Sequence, residues 1–236
     1  MKGREYKKMK KIAYGVKVTE EKQKPSPSPD ELFEMLDLMI DLDECWYLDS
    51  AQNYGLSETY LQKWVATKSD QELKGIAIGS KIYRVDPETK KQRTLTSDVI
   101  YEGGKKSIQK LGLQKLDTFW LHDPDPEFLL AGTLEGFSRL CDDGLIDSHG
   151  ICNATTTDYL EQIVECWEKN HLRRPTCLQQ TVNLMMSTED QKVIQMAHQN
   201  DIQVFAIGPR QKGLLSGKYE FNSDRNGCST VELLDK

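Results

Sequence analysis

The sequence predicts an α/β protein: a TIM-type (β/α)8 barrel that is incomplete, with about seven βα units and the last one missing. Three observations predict it. Short β-rich runs alternate with longer amphipathic ones, the pattern of repeated βα units and hence of a parallel sheet. The β-rich runs are nearly continuous in apolar residues, as strands covered on both faces are. No GxGxxG opens any helix, which favours a barrel over an open doubly wound sheet.

Seven segments read as strands: AYGVKV (13–18), CWYLDSA (45–51), GIAIGSKI (75–82), LDTFWLHD (116–123), SHGICNA (148–154), TCLQQTVN (176–183) and IQVFAIGP (202–209). Between them lie helices with recognisable starts. PDELFEMLDLMIDL follows the stiff PSPSP loop, and SETYLQKWVATK opens with Ser57 as its N-cap. TSDVIYEGGKKSIQKLG starts on a Thr-Ser pair and ends at Gly112, with Gly103 and Gly104 as a weak point inside it. PEFLLAGTLEGFSRLCDDG, TTTDYLEQIVECWEKN and STEDQKVIQMAHQN complete the set, and the polar loop 83–96 forms part of a rim. After GPRQKGLLSGKY the residues EFNSDRNGCSTVELLDK are too few and too polar to supply a last helix, an eighth strand and another helix.

The 236 residues, 38% of them hydrophobic, fit one domain over 1–236, with a basic tail at 1–11 and a polar tail at 220–236. The formal net charge of −6 offers no general attraction to nucleic acid or to an anionic membrane, which leaves a small molecule or a protein as partner. No apolar run approaches the ~18 residues of a membrane span, and the start lacks the apolar core of a secretion signal, so a soluble, cytoplasmic protein is expected. Cys45, Cys141, Cys152, Cys166, Cys177 and Cys228 form no CxxC pair, which predicts reduced thiols and no zinc or other metal site. Trp46, Phe119 and Trp120 read as core, and Met185-Met186 as gap-filling or a substrate mouth.

Chemistry in a parallel barrel gathers at the carboxyl ends of the strands. There the second strand delivers Asp49 and Tyr54, the third Lys81, the fourth His122 with Asp123, the fifth Asn153, and the sixth Gln180 with Asn183. Singly, each has a plain structural reading: Asp49 and Lys81 as a rim ion pair, Tyr54 as a loop aromatic, His122 as a partner of Asp123. Together they are four chemically matched side chains on three successive units.

In order, D-x-A-x-x-Y-G-x-S-E, G-S-K, L-D-x-x-x-L-H-D-P-D, a strand ending near Asn, and Q-x-x-x-N resemble the aldo-keto reductase superfamily, particularly its aldehyde, aryl-alcohol and sugar-oxidising branches. The resemblance covers roughly residues 12 to 219. It implies Tyr54 as general acid, Lys81 as the cation that lowers the phenol's pKa, Asp49 as the carboxylate holding that lysine, and His122 as the donor that orients a carbonyl. A phenol with a reference pKa of about 10 exchanges protons poorly near neutrality, and an adjacent ammonium moves it toward the working pH. The resemblance also implies NADP(H), with Asn153 and Gln180 on the nicotinamide carboxamide and Gly208 and Gly213 as further cofactor-binding positions.

Three departures from the family's pattern concern the cofactor. Ile207 stands where an aromatic ring would stack on the nicotinamide, the last unit that holds the adenosine and its phosphate is missing, and the start is short. They predict cofactor binding that is weakened or lost. The expected function is an NAD(P)H-dependent interconversion of a carbonyl (aldehyde, ketone or sugar lactol) and an alcohol. Alternatives are a nicotinamide-independent isomerase, lyase or cyclase on the same scaffold, or a non-catalytic barrel subunit. A homodimer is one arrangement that would cover the open edges.

Overall fold

The computed structural model describes residues 12–18, 27–41, 45–123, 130–217, 219–223 and 229–233. Seven strands form one all-parallel sheet in chain order: β1 (Ile12–Gly15), β2 (Cys45–Asp49), β3 (Ala77–Ile82), β4 (Leu116–Leu121), β5 (Ile146–Cys152), β6 (Cys177–Thr181) and β7 (Gln203–Ile207). Helices alternate with them: α1 (Pro29–Asp41), α2 (Ser57–Val65), α3 (Ser97–Leu111), α4 (Leu130–Asp142), α5 (Thr157–Asn170) and α6 (Thr188–Gln199). This is the incomplete barrel the alternation predicts. Each predicted strand overlaps an observed one, with β1 beginning one residue and β5 two residues before the predicted bounds; the basic tail 1–11 and the first residues of the PEFLL segment lie outside the described residues.

Alternation along the strands divides the core in two. Leu48, Ile78, Ile82, Phe119 and Leu121 face outward, and with Leu61, Trp64, Ile100, Leu111, Phe137 and Leu140 of the helices they form the largest apolar layer. Leu160, Ile163, Leu178, Val193 and Ala197 continue that layer over the second half of the sheet. Inside the curve sit Tyr47, Trp120, Cys152 and Cys177, packed on Trp46, Ala77 and Phe205. Trp120 Nε1 donates to Tyr47 Oη at 2.6 Å, so the buried phenol and indole satisfy each other. The inner rings fit because the facing strands carry glycine: a Cβ on Gly79 would lie 1.7 Å from Tyr47 Oη, and one on Gly150 would lie 2.4 Å from the Trp120 ring.

Gly103 and Gly104 do not break α3. A Cβ at Gly103 would come within 2.5 Å of Ile82 Cδ1 and one at Gly104 within 2.6 Å of Leu140 Cδ1, so the pair lets α3 lie close against β3 and α4. Thr96 caps its start by accepting from Val99 N, and Gly112 ends it with φ 68°. In α6 the predicted start is a full capping box between Ser187 and Asp190.

Two outcomes differ from expectation. Ser57 is the first residue of α2, not its cap; its hydroxyl donates to Tyr54 O at 2.7 Å and accepts from Val18 N at 2.7 Å. Part of the polar tail forms an antiparallel hairpin, β8 (Tyr219–Ser223) with β9 (Ser229–Leu233), separate from the parallel sheet. Among the described residues β1 and β7 do not pair with each other, and a cavity of about 810 Å³ lies between them, reaching Trp46, Asp49 and Gln179.

Candidate active site

Asp49 ends β2, Lys81 lies one residue before the end of β3, and His122 directly follows β4. Three adjacent strands therefore bring these side chains to the carboxyl-terminal mouth of the sheet, the end where parallel barrels place their chemistry. The turn after β2 adds Tyr54. Its backbone is fixed by Tyr54 N donating to Ala51 O at 3.1 Å and by Gln52 N donating to Lys81 O at 3.0 Å.

Lys81 is almost fully buried and donates to the Asp49 carboxylate and, at 2.9 Å, to Ser50 O. Burial pulls the ammonium's pKa down, but the Asp49 carboxylate together with Tyr54 and Cys152 outweighs it, and Lys81 titrates above its ordinary value. Burial holds the Asp49 carboxyl above its usual range, with Lys81 opposing. Such a pair withstands burial because each charge is compensated by the other.

The Tyr54 hydroxyl lies 3.4 Å from His122 Nε2, and Lys81 Nζ stands 5.0 Å from the centre of the Tyr54 ring. The expected lowering of the phenol's pKa is not found. Burial is the largest influence and raises it, Lys81 opposes, and Asp49 adds to the rise. The physical reason is that burying the phenol penalises its charged form by more than Lys81 favours it, and Asp49 offsets part of the Lys81 field.

His122 is a neutral imidazole. Burial, then the charges of Lys81 and Lys17, lower its pKa to about 3. Its Nδ1 has no hydrogen-bond partner among the described residues. With its ring proton at Nε2, the side facing Tyr54, His122 would act as a neutral donor toward the site.

The remaining predicted positions divide. Asn153, at φ 57°, donates from Nδ2 to His122 O at 3.2 Å and so sits against the site. Gln180 does not: its amide reaches out to the helical layer, donating to Ala154 O and to Asp190 Oδ1, both at 3.1 Å. Its neighbour Gln179 points inward, lining the interior cavity with Asp49 and accepting from Cys152 Sγ at 3.6 Å. Successive strand residues face opposite sides, so only one of two adjacent glutamines can enter the barrel. Gly208 (φ 65°) and Gly213 (φ 96°) lie beyond β7, where with Arg210, Lys212 and Ser216 they border a second cavity of about 350 Å³.

The motif around Tyr54 also contributes a frame. Glu58, buried at 2% exposure, accepts from Ser80 Oγ at 2.7 Å and pairs with Lys110 at 3.4 Å, tying α2 to β3 and α3. Arg93 fastens the 83–96 loop, donating to Tyr83 O at 3.2 Å, Asp86 Oδ2 at 3.0 Å and Gln52 Oε1 at 2.9 Å. Gln52 in turn donates to Gly103 O and Ser107 Oγ. Neither Gln52 nor Arg93 stands out in the sequence, where both read as polar loop residues.

The Aldo/keto reductase family model matches residues 11–235. The chain belongs to that family. Among curated members it is 27% identical over 187 residues to an aldo-keto reductase of Pseudocercospora fijiensis, covering 78% of this chain and 60% of that protein. It is 26% identical over 161 residues to human aflatoxin B1 aldehyde reductase member 2, covering 66% of this chain and 44% of the relative. This family member thus spans about half the length of the curated relatives it matches. Solved structures agree on the fold. A thermostable aldo-keto reductase superposes with a TM-score of 0.71 at 21% identity, over 92% of this chain and 74% of its own. A Bombyx mori aldo-keto reductase in complex with NADP superposes at 0.65 and 20% identity, over 84% and 62% respectively.

Proposed function

We propose that this chain carries the acid–base site of an NADP(H)-dependent oxidoreductase that interconverts a carbonyl, in an aldehyde, ketone or sugar lactol, with an alcohol. One observation carries the reading: the Tyr54 hydroxyl and a neutral His122 imidazole face each other at 3.4 Å beside the Lys81–Asp49 pair. A carbonyl oxygen placed between them meets two neutral donors.

Tyr54 keeps its proton near neutrality because its pKa is raised, so in the reducing direction it enters as an acid. The Lys81 ammonium at 5.0 Å from the ring moderates the cost of the phenolate left behind. His122 donates from Nε2 and orients the oxygen without gaining charge itself. Asp49 fixes Lys81 in place.

The residues present suit a nicotinamide dinucleotide in their chemistry. Gln179 and Asn153 offer amides next to the reacting groups, and the Gly208–Ser216 cavity offers Arg210 and Lys212 for a diphosphate. When bound, such a cofactor supplies the hydride. The relative in complex with NADP supports this choice.

Titration with NADPH and NADH, followed by tryptophan fluorescence, tests the reading. Saturable micromolar binding with turnover of carbonyl compounds supports it. Absence of binding at millimolar nucleotide overturns it and leaves nucleotide-free acid–base chemistry as the alternative.

A further inference from the structure

Lys17 lies just beyond β1, and its Nζ stands 5.1 Å from the centre of the Tyr54 ring, nearly as near as Lys81 at 5.0 Å. The two ammonium groups have opposite surroundings. Lys81 is buried and paired with Asp49, whereas Lys17 is exposed and forms no ion pair among the described residues.

The backbone dictates where Lys17 points. Val16 and Val18 on either side are buried at 0% and 3% exposure. Val16 N donates to Asp49 O at 2.8 Å, Val18 N to Ser57 Oγ at 2.7 Å, and Leu56 N to Val18 O at 3.1 Å. With both neighbours turned into the core and the chain tied on each side, Lys17 faces the mouth where Tyr54 lies. Its field reaches the reacting groups, since it is one of the two charges that depress the His122 pKa.

Among the described charged groups around the phenol, Lys81 is paired with Asp49, Asp123 is turned toward Asn153 Nδ2 at 3.5 Å, and Lys17 stands at the entrance with no ion-pair partner. Resting on the oxidoreductase reading above, we infer that Lys17 is a specificity-determining residue that selects carbonyl substrates carrying a carboxylate a few carbons from the reacting carbon. A carboxylate at the mouth would pair with Lys17 through a charge-assisted hydrogen bond while the carbonyl oxygen lies between Tyr54 and His122.

The test compares 5-oxopentanoate with its methyl ester as substrates, with NADPH, for the unmodified protein, Lys17→Met and Lys17→Glu. The acid should be preferred by about tenfold in kcat/KM, the scale of a charge-assisted hydrogen bond at a partly exposed site. Lys17→Met should raise KM for the acid and leave the ester unchanged, Lys17→Glu should reverse the preference, and salt should weaken it. Equal use of acid and ester by the unmodified protein, or an equal loss on both in Lys17→Met, overturns the inference.

A second measurement needs no turnover: calorimetric binding of glutarate against its monoamide. Glutarate binding that Lys17→Met abolishes, in a protein without turnover, upholds the role of Lys17 and removes the oxidoreductase reading. Turnover without discrimination does the reverse, and absence of both overturns both.

Discussion

The Tyr54 hydroxyl and His122 Nε2, sixty-eight positions apart in the chain, meet at 3.4 Å where β2 and β4 deliver their ends to the mouth of the sheet. Neither side chain is charged at neutral pH, and each is set by burial. That makes the centre a pair of neutral donors backed by a compensated ion pair.

Tyr54→Phe removes the acid and leaves the ring in place. Turnover of any carbonyl substrate should fall by about 10²- to 10⁴-fold, the usual size of a positioned proton donor, with little change in NADPH affinity. Steady-state rates combined with a fluorescence titration separate the two.

Lys81→Met strands the buried Asp49 carboxylate. Loss of one partner of such a pair costs about 3–5 kcal/mol, partly relieved here by protonation of Asp49, whose pKa burial already raises. The double variant Asp49→Asn with Lys81→Met should recover most of the stability but none of the turnover. Urea unfolding and activity measured on both variants check this.

The two neighbouring glutamines should behave differently. Gln179→Ala should weaken nucleotide binding, because Gln179 lines the interior beside Asp49. Gln180→Ala should leave binding intact and lower stability by roughly 1 kcal/mol through its lost bonds to Ala154 and Asp190. Equal effects on nucleotide affinity would refute the assignment.

Acid should destabilise the fold through two histidines. His122 is held at about 3, and His149, buried and bonded through Nε2 to Arg173 O at 2.9 Å, at about 4. Both lie below the ~6.5 of an exposed histidine, so the unfolded chain takes up protons first. Their contribution is fully present above pH ~6.5 and is lost as pH falls toward 4 for His149 and 3 for His122. Each adds a slope of about 1.4 kcal/mol per pH unit in that window. His149→Gln retains a donor for Arg173 O and should flatten part of the slope in urea unfolding between pH 7 and pH 5.

Arg93→Ala should release the 83–96 loop, since one guanidinium holds Tyr83 O, Asp86 and Gln52. Faster proteolysis confined to that loop, with the rest of the domain resistant, is the expected result.

The order of residues alone specified much of this molecule. Period-two and period-3.6 patterns located the seven strands, and Thr96, Gly112 and Ser187 marked helix ends where caps were then found. Asp49, Tyr54, Lys81 and His122 were legible as a set because parallel strands all deliver their last residues to one end. Other features depended on what packs against what. Cys177 and Leu178 are both apolar, so the sequence around β6 does not tell which face is inner, and the choice between Gln179 and Gln180 waited for the sheet to curl. Gly103 and Gly104 look like a flaw in a helix until Ile82 and Leu140 are seen lying against them. Ser57 reads as a cap, yet its hydroxyl joins two loops that only the fold brings together. The Tyr54 pKa is the plainest case. Sequence supplies the lysine that would lower it, but the depth of burial and the nearness of Asp49 decide the sign, because desolvation and charge compensation are properties of the packed site.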